Sequence, residues 1–325
     1  MRDLEALEAA GVELHARPEN WTALAADVLE GLLSTPKTLP PKWLYDDRGS
    51  ELFDEITELD EYYLTRRESA LLCEAGAELV GGFAELVELG SGMSTKTPLL
   101  LDHMRDAERY VGVDVSPSAM RAAMKRLAAR YPGVEMVAEV CDFTGDLDVL
   151  ARKAGGPPRL VAFLGSTLGN MQPVEVRGFL ERVKPLLGEH DALLVGHDLV
   201  KDPAVIEAAY DDPRGVTAAF NRNMLAVVNR ELGADFDLHL FDHEARYNGF
   251  LDRVELRLRS RVAQVVRIAG LGLEVPFLAG ESILTEISRK FTRPVMERAY
   301  GEVGLRLRAW HEDRDGWYAM SVASL

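Results

Sequence analysis

The sequence predicts an α/β protein with a doubly wound, mostly parallel sheet, a C-terminal antiparallel hairpin and an inserted α+β region. Short apolar runs alternate with amphipathic helical segments from residue 84 to residue 199, as in parallel strands joined by crossover helices. The alternation stops after Asp198, where a long helical stretch and segments of alternating polarity follow. The chain ends in two strand-like runs around the turn "DRDG", which predicts the hairpin.

Five apolar runs supply the parallel strands of the predicted sheet. They cover residues 84–89, 109–115, 134–140, 159–165 and 192–199. Helices are predicted at 65–80, 95–106, 116–131 and 173–187, the third with Ser116 as N-cap and Pro117 in its first turn. Because ligands of such sheets bind beyond the carboxyl ends of the strands, the residues there are the candidates for a site.

The rest of the chain predicts a second domain. Residues 20–34 have the pattern of an amphipathic helix, and 35–50 form a proline-rich loop that carries Tyr45. Residues 213–233 predict a long helix, and 253–268 alternate apolar and charged residues, as strands with one solvated face do. We therefore expect one domain of residues 61–196 and 287–325, and a second of residues 1–60 and 197–286.

Composition narrows the classes of partner. The chain has 325 residues with 37 Lys+Arg and 53 Asp+Glu, a net charge of −16, which argues against nucleic acid or an anionic membrane as partner. Two cysteines, Cys73 and Cys141, are too few for a disulfide framework. We see neither a signal peptide nor an apolar run of the roughly 20 residues that span a bilayer. We expect a cytoplasmic monomer that acts on a small molecule.

The segment "LVELGSGMSTKT" (86–97) marks the end of the first parallel strand. Glu88 closes the strand, and Gly90 and Gly92 turn the chain. Glycine permits positive φ and a close approach of backbone to a ligand, although a plain strand-to-helix turn would look similar. Thr95 stands where the dinucleotide fingerprint requires a third glycine. The turn therefore favours a nucleoside-like ligand over a pyrophosphate.

Polar residues at neighbouring strand ends extend this candidate site. Asp114 ends the second strand about 20 residues past the glycines, where an acid can accept ribose hydroxyls. Asp142 and Phe143 follow the third strand and could bind and stack on adenine, while Lys96 could pair with a carboxylate. Each residue also has an ordinary structural interpretation. Asp114 could be an acid at a helix terminus, Asp142 and Phe143 a loop acid and a core aromatic, and Lys96 a solvated lysine.

The five strands with crossover helices, the C-terminal hairpin and the E-x-G-x-G turn resemble the Rossmann-like class I methyltransferases, whose cofactor is S-adenosylmethionine. This ligand has an adenosine and an amino acid tail but no phosphate, which agrees with the turn. The fourth strand leads into "FLGSTLGN", where Asn170 offers a donor and an acceptor suited to an amino acid. Asn170 could equally be a turn or cap residue next to the helix that Pro173 begins.

Several longer blocks, from about residue 20 to the end, resemble the histidine-specific methyltransferases of ergothioneine biosynthesis. These blocks include "PKTLPPKWLYDDRGSELFDEIT", "EYYLTRRE", "GVTAAFNRNMLAVVNRELGADFDL" and "LTEISRKF". The resemblance implies transfer of three methyl groups to the α-amino nitrogen of L-histidine, which gives the betaine hercynine, without a metal. It also implies that the first domain binds S-adenosylmethionine and the second binds the substrate.

The resemblance assigns roles to individual residues. The implied cofactor-binding residues are Gly90, Lys96, Asp114, Asp142 and Phe143. The implied substrate-binding residues are Tyr62, Asn170, Tyr210, Thr217, Phe220, Leu256, Glu286 and Ser288, and the implied catalytic residues are Tyr45 and Asn170. Leu256 stands where the family's histidine enzymes carry Met, a change of similar volume that usually exchanges mildly.

Other functions are less well supported. The same fold could methylate another aromatic amino acid such as tryptophan, but an indole ring does not need the carboxylate of Glu286. A non-catalytic S-adenosylmethionine-binding regulator would not need the polar side chains of Tyr62, Asn170, Tyr210 and Glu286. A dehydrogenase is disfavoured because Thr95 replaces the third glycine of the dinucleotide fingerprint. His239 and His243 have the spacing of a helical metal pair, yet their stretch contains few helix formers. Cys141 is expected to be an inert thiol.

Overall fold

The computed structural model describes residues 12–16, 21–143, 145, 147–151 and 156–325, and the chain divides into two compact units. Unit 1 contains the strand Val12–Ala16 together with Leu64–Val200 and Lys290–Leu325. Unit 2 contains the segment that ends at Tyr63 together with Lys201–Arg289. No helix among these described residues is long and apolar enough to cross a bilayer.

Fourteen strands and nine α-helices are found among the described residues. The strands are β1 Val12–Ala16, β2 Lys37–Thr38, β3 Glu85–Leu89, β4 Arg109–Asp114, β5 Glu135–Val140, β6 Arg159–Phe163, β7 Ala192–Asp198, β8 Phe241–Asn248, β9 Arg253–Ser260, β10 Gln264–Ile268, β11 Leu273–Phe277, β12 Ser282–Arg289, β13 Arg306–Glu312 and β14 Tyr318–Ser324. The helices are α1 Trp21–Leu33, α2 Asp47–Thr57, α3 Tyr63–Val80, α4 Thr97–Leu101, α5 Pro117–Arg130, α6 Pro173–Val183, α7 Pro203–Tyr210, α8 Val216–Leu232 and α9 Arg293–Glu302.

Unit 1 is built on an eight-stranded sheet of order β1-β5-β4-β3-β6-β7-β14-β13. Strands β1 and β3 to β7 pair in parallel, whereas β14 runs antiparallel to β7 and forms a hairpin with β13. The predicted fold class is confirmed, including the terminal hairpin. The order reverses between β3 and β6, which places the topological switch point there.

Burial on both faces explains why these segments form central strands. Every residue of β3, β6 and β7 is buried, as expected for parallel strands covered on both sides. Phe179 of α6 packs on Phe163 of β6 with ring centroids 4.6 Å apart. The side chain of Ser116 accepts a hydrogen bond from the Ala119 backbone N–H at the start of α5, which confirms the predicted N-cap.

The edge strand β1 was not anticipated. It pairs in parallel with β5, so residues 12–16 belong to the same sheet as the glycine turn. The sequence-based bounds placed residues 1–60 in the second domain. Residues 1–11 and 17–20 lie outside the described residues, as do the expected bounds that fall on them.

Unit 2 contains a four-stranded sheet of order β2-β12-β9-β8, a separate hairpin of β10 and β11, and the long helix α8. The alternating segment 253–268 forms two strands, β9 and β10, as its period suggested. Strand β8 was missed because its sequence, "FDHEARYN", has only Phe241 and Ala245 buried. That spacing lacks the apolar alternation by which a strand is recognised.

Candidate active site

The glycine turn after β3 adopts a conformation that requires its glycines. Gly90 has φ of 67° and Gly92 has φ of 51°, both in the left-handed region. The Gly90 N–H donates to the Val113 carbonyl at 2.8 Å, so the turn folds against the end of β4. A Cβ at Gly90 would lie 3.3 Å from the Phe143 ring. A side chain here would therefore narrow the space beside Phe143.

Asp114, at the end of β4, holds this turn in place. Its Oδ2 accepts from the Gly92 N–H at 2.8 Å, and its Oδ1 accepts from the Ser116 N–H at 3.0 Å. Burial raises the pKa of Asp114, and these backbone hydrogen bonds oppose that effect. Because an ionised carboxylate has about four acceptor positions, both oxygens can still accept a further hydroxyl.

Glu88, just before the turn, is hydrogen-bonded to residues of α4 and β4. The side chain is 3% exposed and accepts from the Thr97 hydroxyl at 2.6 Å and the Tyr110 hydroxyl at 2.9 Å. Burial raises the pKa of Glu88 to about 6, against the opposing effect of these two hydrogen bonds. Glu88 therefore ties the start of α4 and strand β4 to the turn.

Lys96 lies beside the turn and pairs with Glu68 of α3. Its ammonium is also close to Gly165, since a Cβ at Gly165 would be 3.4 Å from Nζ. Sequence reasoning missed Glu68, which is fully buried. A signal for it exists, because Glu68 lies four residues from both Leu64 and Leu72 on the buried face of α3.

The predicted adenine residues follow β5. Phe143 is partly exposed, and its ring meets Phe163 edge to face with centroids 5.3 Å apart. Asp142 is partly exposed, and its carbonyl accepts from the Gly145 N–H at 3.1 Å. The five predicted cofactor residues thus all lie at or after the carboxyl ends of β3, β4 or β5.

The turn after β6 carries Asn170 at the end of a short 3₁₀ helix, Thr167–Asn170. Ser166 enters this turn with φ of 55°, an unusual value for a residue with a side chain. Its hydroxyl accepts from the Asp198 N–H at 2.9 Å, and the Asp198 carboxylate pairs with buried Lys290 at 2.7 Å. Partly exposed Asn170 therefore belongs to unit 1, unlike the other predicted substrate residues.

Unit 2 brings the predicted substrate residues of α7 and β12 together. The hydroxyls of Tyr210 and Ser288 are 2.7 Å apart and buried. The Tyr62 ring meets the Tyr210 ring edge to face, with centroids 6.2 Å apart. Glu286 is opposite Leu256 across the β9–β12 pair, with 8% and 1% of the two residues exposed. Since strand side chains alternate, Glu286 and Ser288 share one face of β12.

Tyr62, which contacts Tyr210, also belongs to an aromatic cluster with Tyr45, Phe53 and Phe220. The Tyr45 ring is 5.4 Å from Phe220 and 5.5 Å from Phe53, and Phe53 is 6.2 Å from Tyr62. Thr217 precedes Phe220 by about one turn of α8. Sequence reasoning missed Phe53, which resembles an ordinary core residue in "ELFDEI".

The sequence also did not predict a buried polar network that includes the backbone carbonyl of Tyr210. The Asn221 amide N–H₂ donates to His243 Nδ1 at 2.9 Å, and its Oδ1 accepts from the Thr285 hydroxyl at 2.6 Å. His243 Nε2 must then carry the proton that it donates to the Tyr210 carbonyl at 2.9 Å. Burial lowers the pKa of His243, in agreement with this neutral form. The network fixes the end of α7, where Tyr210 lies.

The metal hypothesis for His239 and His243 gains no support. Both ring nitrogens of His243 take part in hydrogen bonds within the protein. Among the residues that the structure describes, no group of three or more His, Cys, Asp or Glu side chains could hold a metal ion.

Three features together define a class I methyltransferase that uses S-adenosylmethionine: the parallel sheet with its topological switch point, the glycine turn and the acids at the strand ends. The family model described as "Histidine-specific methyltransferase, SAM-dependent" matches residues 24–325, and the chain belongs to that family.

Two relatives are similar over nearly the whole chain, and a third over part of it. The histidine N-alpha-methyltransferase of Mycolicibacterium smegmatis is 49% identical over 306 residues, which is 93% of this chain and 94% of the relative. That of Mycobacterium tuberculosis is 46% identical over 307 residues, covering 93% and 95%. Ergothioneine biosynthesis protein 1 of Neurospora crassa is 32% identical over 209 residues, covering 61% of this chain and 23% of the relative.

Proposed function

We propose that this enzyme transfers three methyl groups to the α-amino nitrogen of L-histidine, giving hercynine for ergothioneine biosynthesis. The observation that carries the proposal is the arrangement in unit 2, where Glu286 and Ser288 share a strand face beside an aromatic cluster. A polar face of this kind suits an imidazole ring. Aromatic faces suit a nitrogen that becomes a permanent cation.

Unit 1 provides groups that fit S-adenosylmethionine. The turn at Gly90 and Gly92 has no Cβ to obstruct an adenosine, and Asp114 has acceptor positions left for ribose hydroxyls. Phe143 offers a partly exposed ring beside Gly90 for adenine, and Lys96 offers an ammonium for the tail carboxylate. When bound, S-adenosylmethionine supplies a methyl group on a sulfonium sulfur, which departs as the neutral thioether.

The side chains of unit 2 would hold histidine by both of its ends. Glu286 would accept from an imidazole N–H, with Ser288 beside it on the same strand face. The Tyr210 hydroxyl would donate to the substrate carboxylate, and its bond to Ser288 sets its orientation. Leu256, opposite Glu286, would bound the ring by volume alone. In unit 1, Asn170 would add a donor and an acceptor for the amino acid group.

The amine must lose a proton before each transfer, because only a lone pair can attack the methyl carbon. The α-amino group of a free amino acid lies beside a carboxylate instead of an amide, so its pKa is above the about 7.7–8.0 of a peptide amino terminus, and the proton needs an acceptor. The Tyr45 hydroxyl could pass the proton to water. Most of the acceleration would then come from holding the nitrogen in line with the methyl group. The rings of Tyr45, Phe53 and Phe220 would stabilise the growing cation.

A product survey tests this function. The purified enzyme is incubated with S-adenosylmethionine and each of the twenty amino acids, and the products are followed by mass spectrometry. We expect mono-, di- and trimethylated histidine to appear in sequence, with hercynine as the end product. Methylation of tryptophan or tyrosine in preference to histidine would reject the substrate assignment. Absence of methylation with every amino acid would favour the alternative hypothesis of a non-catalytic regulator that binds S-adenosylmethionine.

A further inference from the structure

Glu68, near the start of α3, is the centre of a cluster of four residues that includes Lys96. Its Oε2 pairs with the Lys96 ammonium. Its Oε1 accepts from the Gly165 backbone N–H at 2.7 Å and from the Tyr318 hydroxyl at 2.6 Å. We call these four residues the Glu68 cluster. Lys96 follows β3, Gly165 follows β6 and Tyr318 begins β14, and all four residues lie in unit 1.

Burying this carboxylate requires a specific arrangement. Glu68 is fully buried, and an ionised carboxylate away from water is very costly unless it is paired and hydrogen-bonded. The cluster supplies one cation and two donors. The Lys96 side chain keeps 20% of its surface exposed, and its ammonium has three donors, of which the Glu68 oxygen uses one.

The sheet itself makes room for the cluster. A Cβ at Gly196, in the middle of β7, would overlap both the Glu68 Oε1 atom and the Tyr318 hydroxyl. Glycine in a central strand is otherwise unfavourable, since it packs no side chain. Glycine at position 196 therefore leaves the space that the Glu68 carboxylate and the Tyr318 hydroxyl occupy.

The position of the cluster indicates its role. Lys96 follows β3 and Gly165 follows β6, and these two strands flank the topological switch point. In open α/β sheets, ligands bind in the crevice outside the strands at that point. Glu68 contacts the elements on both sides of it: the ammonium after β3 and the backbone turn after β6.

We propose that Glu68 is a positioning residue for the cofactor's amino acid tail. It orients the Lys96 ammonium and fixes the turn at Gly165, so that both are in place before the ligand arrives. This inference rests on the proposed function, because it takes Lys96 to be the partner of the tail carboxylate. A lysine without a fixed partner has to lose its rotamer freedom on binding, which lowers affinity.

The test compares a ligand that has the tail with one that lacks it. Glu68→Gln keeps an oxygen that can accept from Gly165 and Tyr318 but removes the charge that holds Lys96. Calorimetry is performed with S-adenosylhomocysteine and with 5′-methylthioadenosine, which has the same nucleoside and thioether but no amino acid group. We expect Glu68→Gln to weaken S-adenosylhomocysteine binding about tenfold. Binding of 5′-methylthioadenosine should change less than about twofold, within the scatter of additive effects.

Two further variants separate positioning from general support. Tyr318→Phe removes another partner of Glu68 without touching Lys96, so the ratio of the two affinities should stay at the parent value. In Lys96→Met, addition of Glu68→Gln should cost nothing more for S-adenosylhomocysteine, because the residue through which it acts is gone. Thermal unfolding of each variant confirms that it is folded.

The outcomes are distinguishable. Equal weakening of both ligands by Glu68→Gln, a tighter S-adenosylhomocysteine complex, or additive effects with Lys96→Met would each overturn the role of Glu68 alone. A parent enzyme that binds neither ligand would instead reject the proposed function, and this inference with it.

Discussion

Replacing Glu88 with Gln should remove a pH-dependent loss of stability. The amide oxygen of Gln can accept from the Thr97 and Tyr110 hydroxyls as the carboxylate does, but it cannot ionise. Burial raises the pKa of Glu88 from 4.5 to about 6, and a shift of that size corresponds to about 2 kcal/mol between the two protonation states. Because Glu88 is 3% exposed, solvent screening reduces this figure little.

The raised pKa of Glu88 determines how the stability of the protein changes with pH. The folded state holds the Glu88 proton more tightly than the unfolded chain does, so its stabilising effect is complete below pH 4.5. That effect is lost as the pH rises through about 6. Between about pH 5 and pH 8, the free energy of unfolding of the parent should therefore fall by about 1 kcal/mol relative to Glu88→Gln.

Calorimetric unfolding of the parent and the variant across this pH range measures the difference. Glu74→Gln, which changes an exposed carboxylate on α3, is the matched control and should follow the parent at every pH. A ¹³C carboxyl resonance that is missing from Glu88→Gln gives a direct titration. Parallel stability profiles for parent and variant, together with a titration midpoint near 4.5, would refute the buried, proton-holding carboxylate.

Three other predictions concern the site itself. Asp114→Ala should weaken S-adenosylhomocysteine binding about tenfold to a hundredfold by calorimetry, since loss of a bond to a charged acceptor costs about 1.5–3 kcal/mol; unchanged affinity would remove Asp114 from the ribose role. A profile of kcat/KM for histidine should rise from about pH 6 and flatten only above about pH 8, following the amine, whose pKa exceeds the about 7.7–8.0 of a peptide amino terminus; a rise centred well below pH 6 would reveal a dedicated base. Glu286→Ala should lower kcat/KM for histidine at least about tenfold, because an unpaired imidazole N–H costs about 1–3 kcal/mol. It should leave S-adenosylhomocysteine affinity unchanged, and full activity in this variant would mean that the imidazole is held elsewhere.

The sequence by itself determined the strands β3 to β7 and the strand ends where the candidate cofactor residues lie. Alternating strand and helix signals are local patterns, so the run from β3 to β7 could be predicted without any tertiary contact. The positions of Gly90, Asp114 and Phe143 follow from that pattern, because each lies at a strand end or within three residues after it. A parallel sheet then brings its strand ends to one edge, whatever the rest of the chain does.

Only the tertiary structure decided what the long polar side chains contact. Glu68 appears in the sequence as one acid in a helix, yet its partners Gly165 and Tyr318 are 97 and 250 residues away. Likewise, Asn221 links to Thr285 across 64 residues. Periodicity reports which face of an element is buried, but it carries no information about which distant donor meets a buried acceptor. That pairing is fixed by the packing of whole elements and by the cost of leaving a buried polar group unpaired.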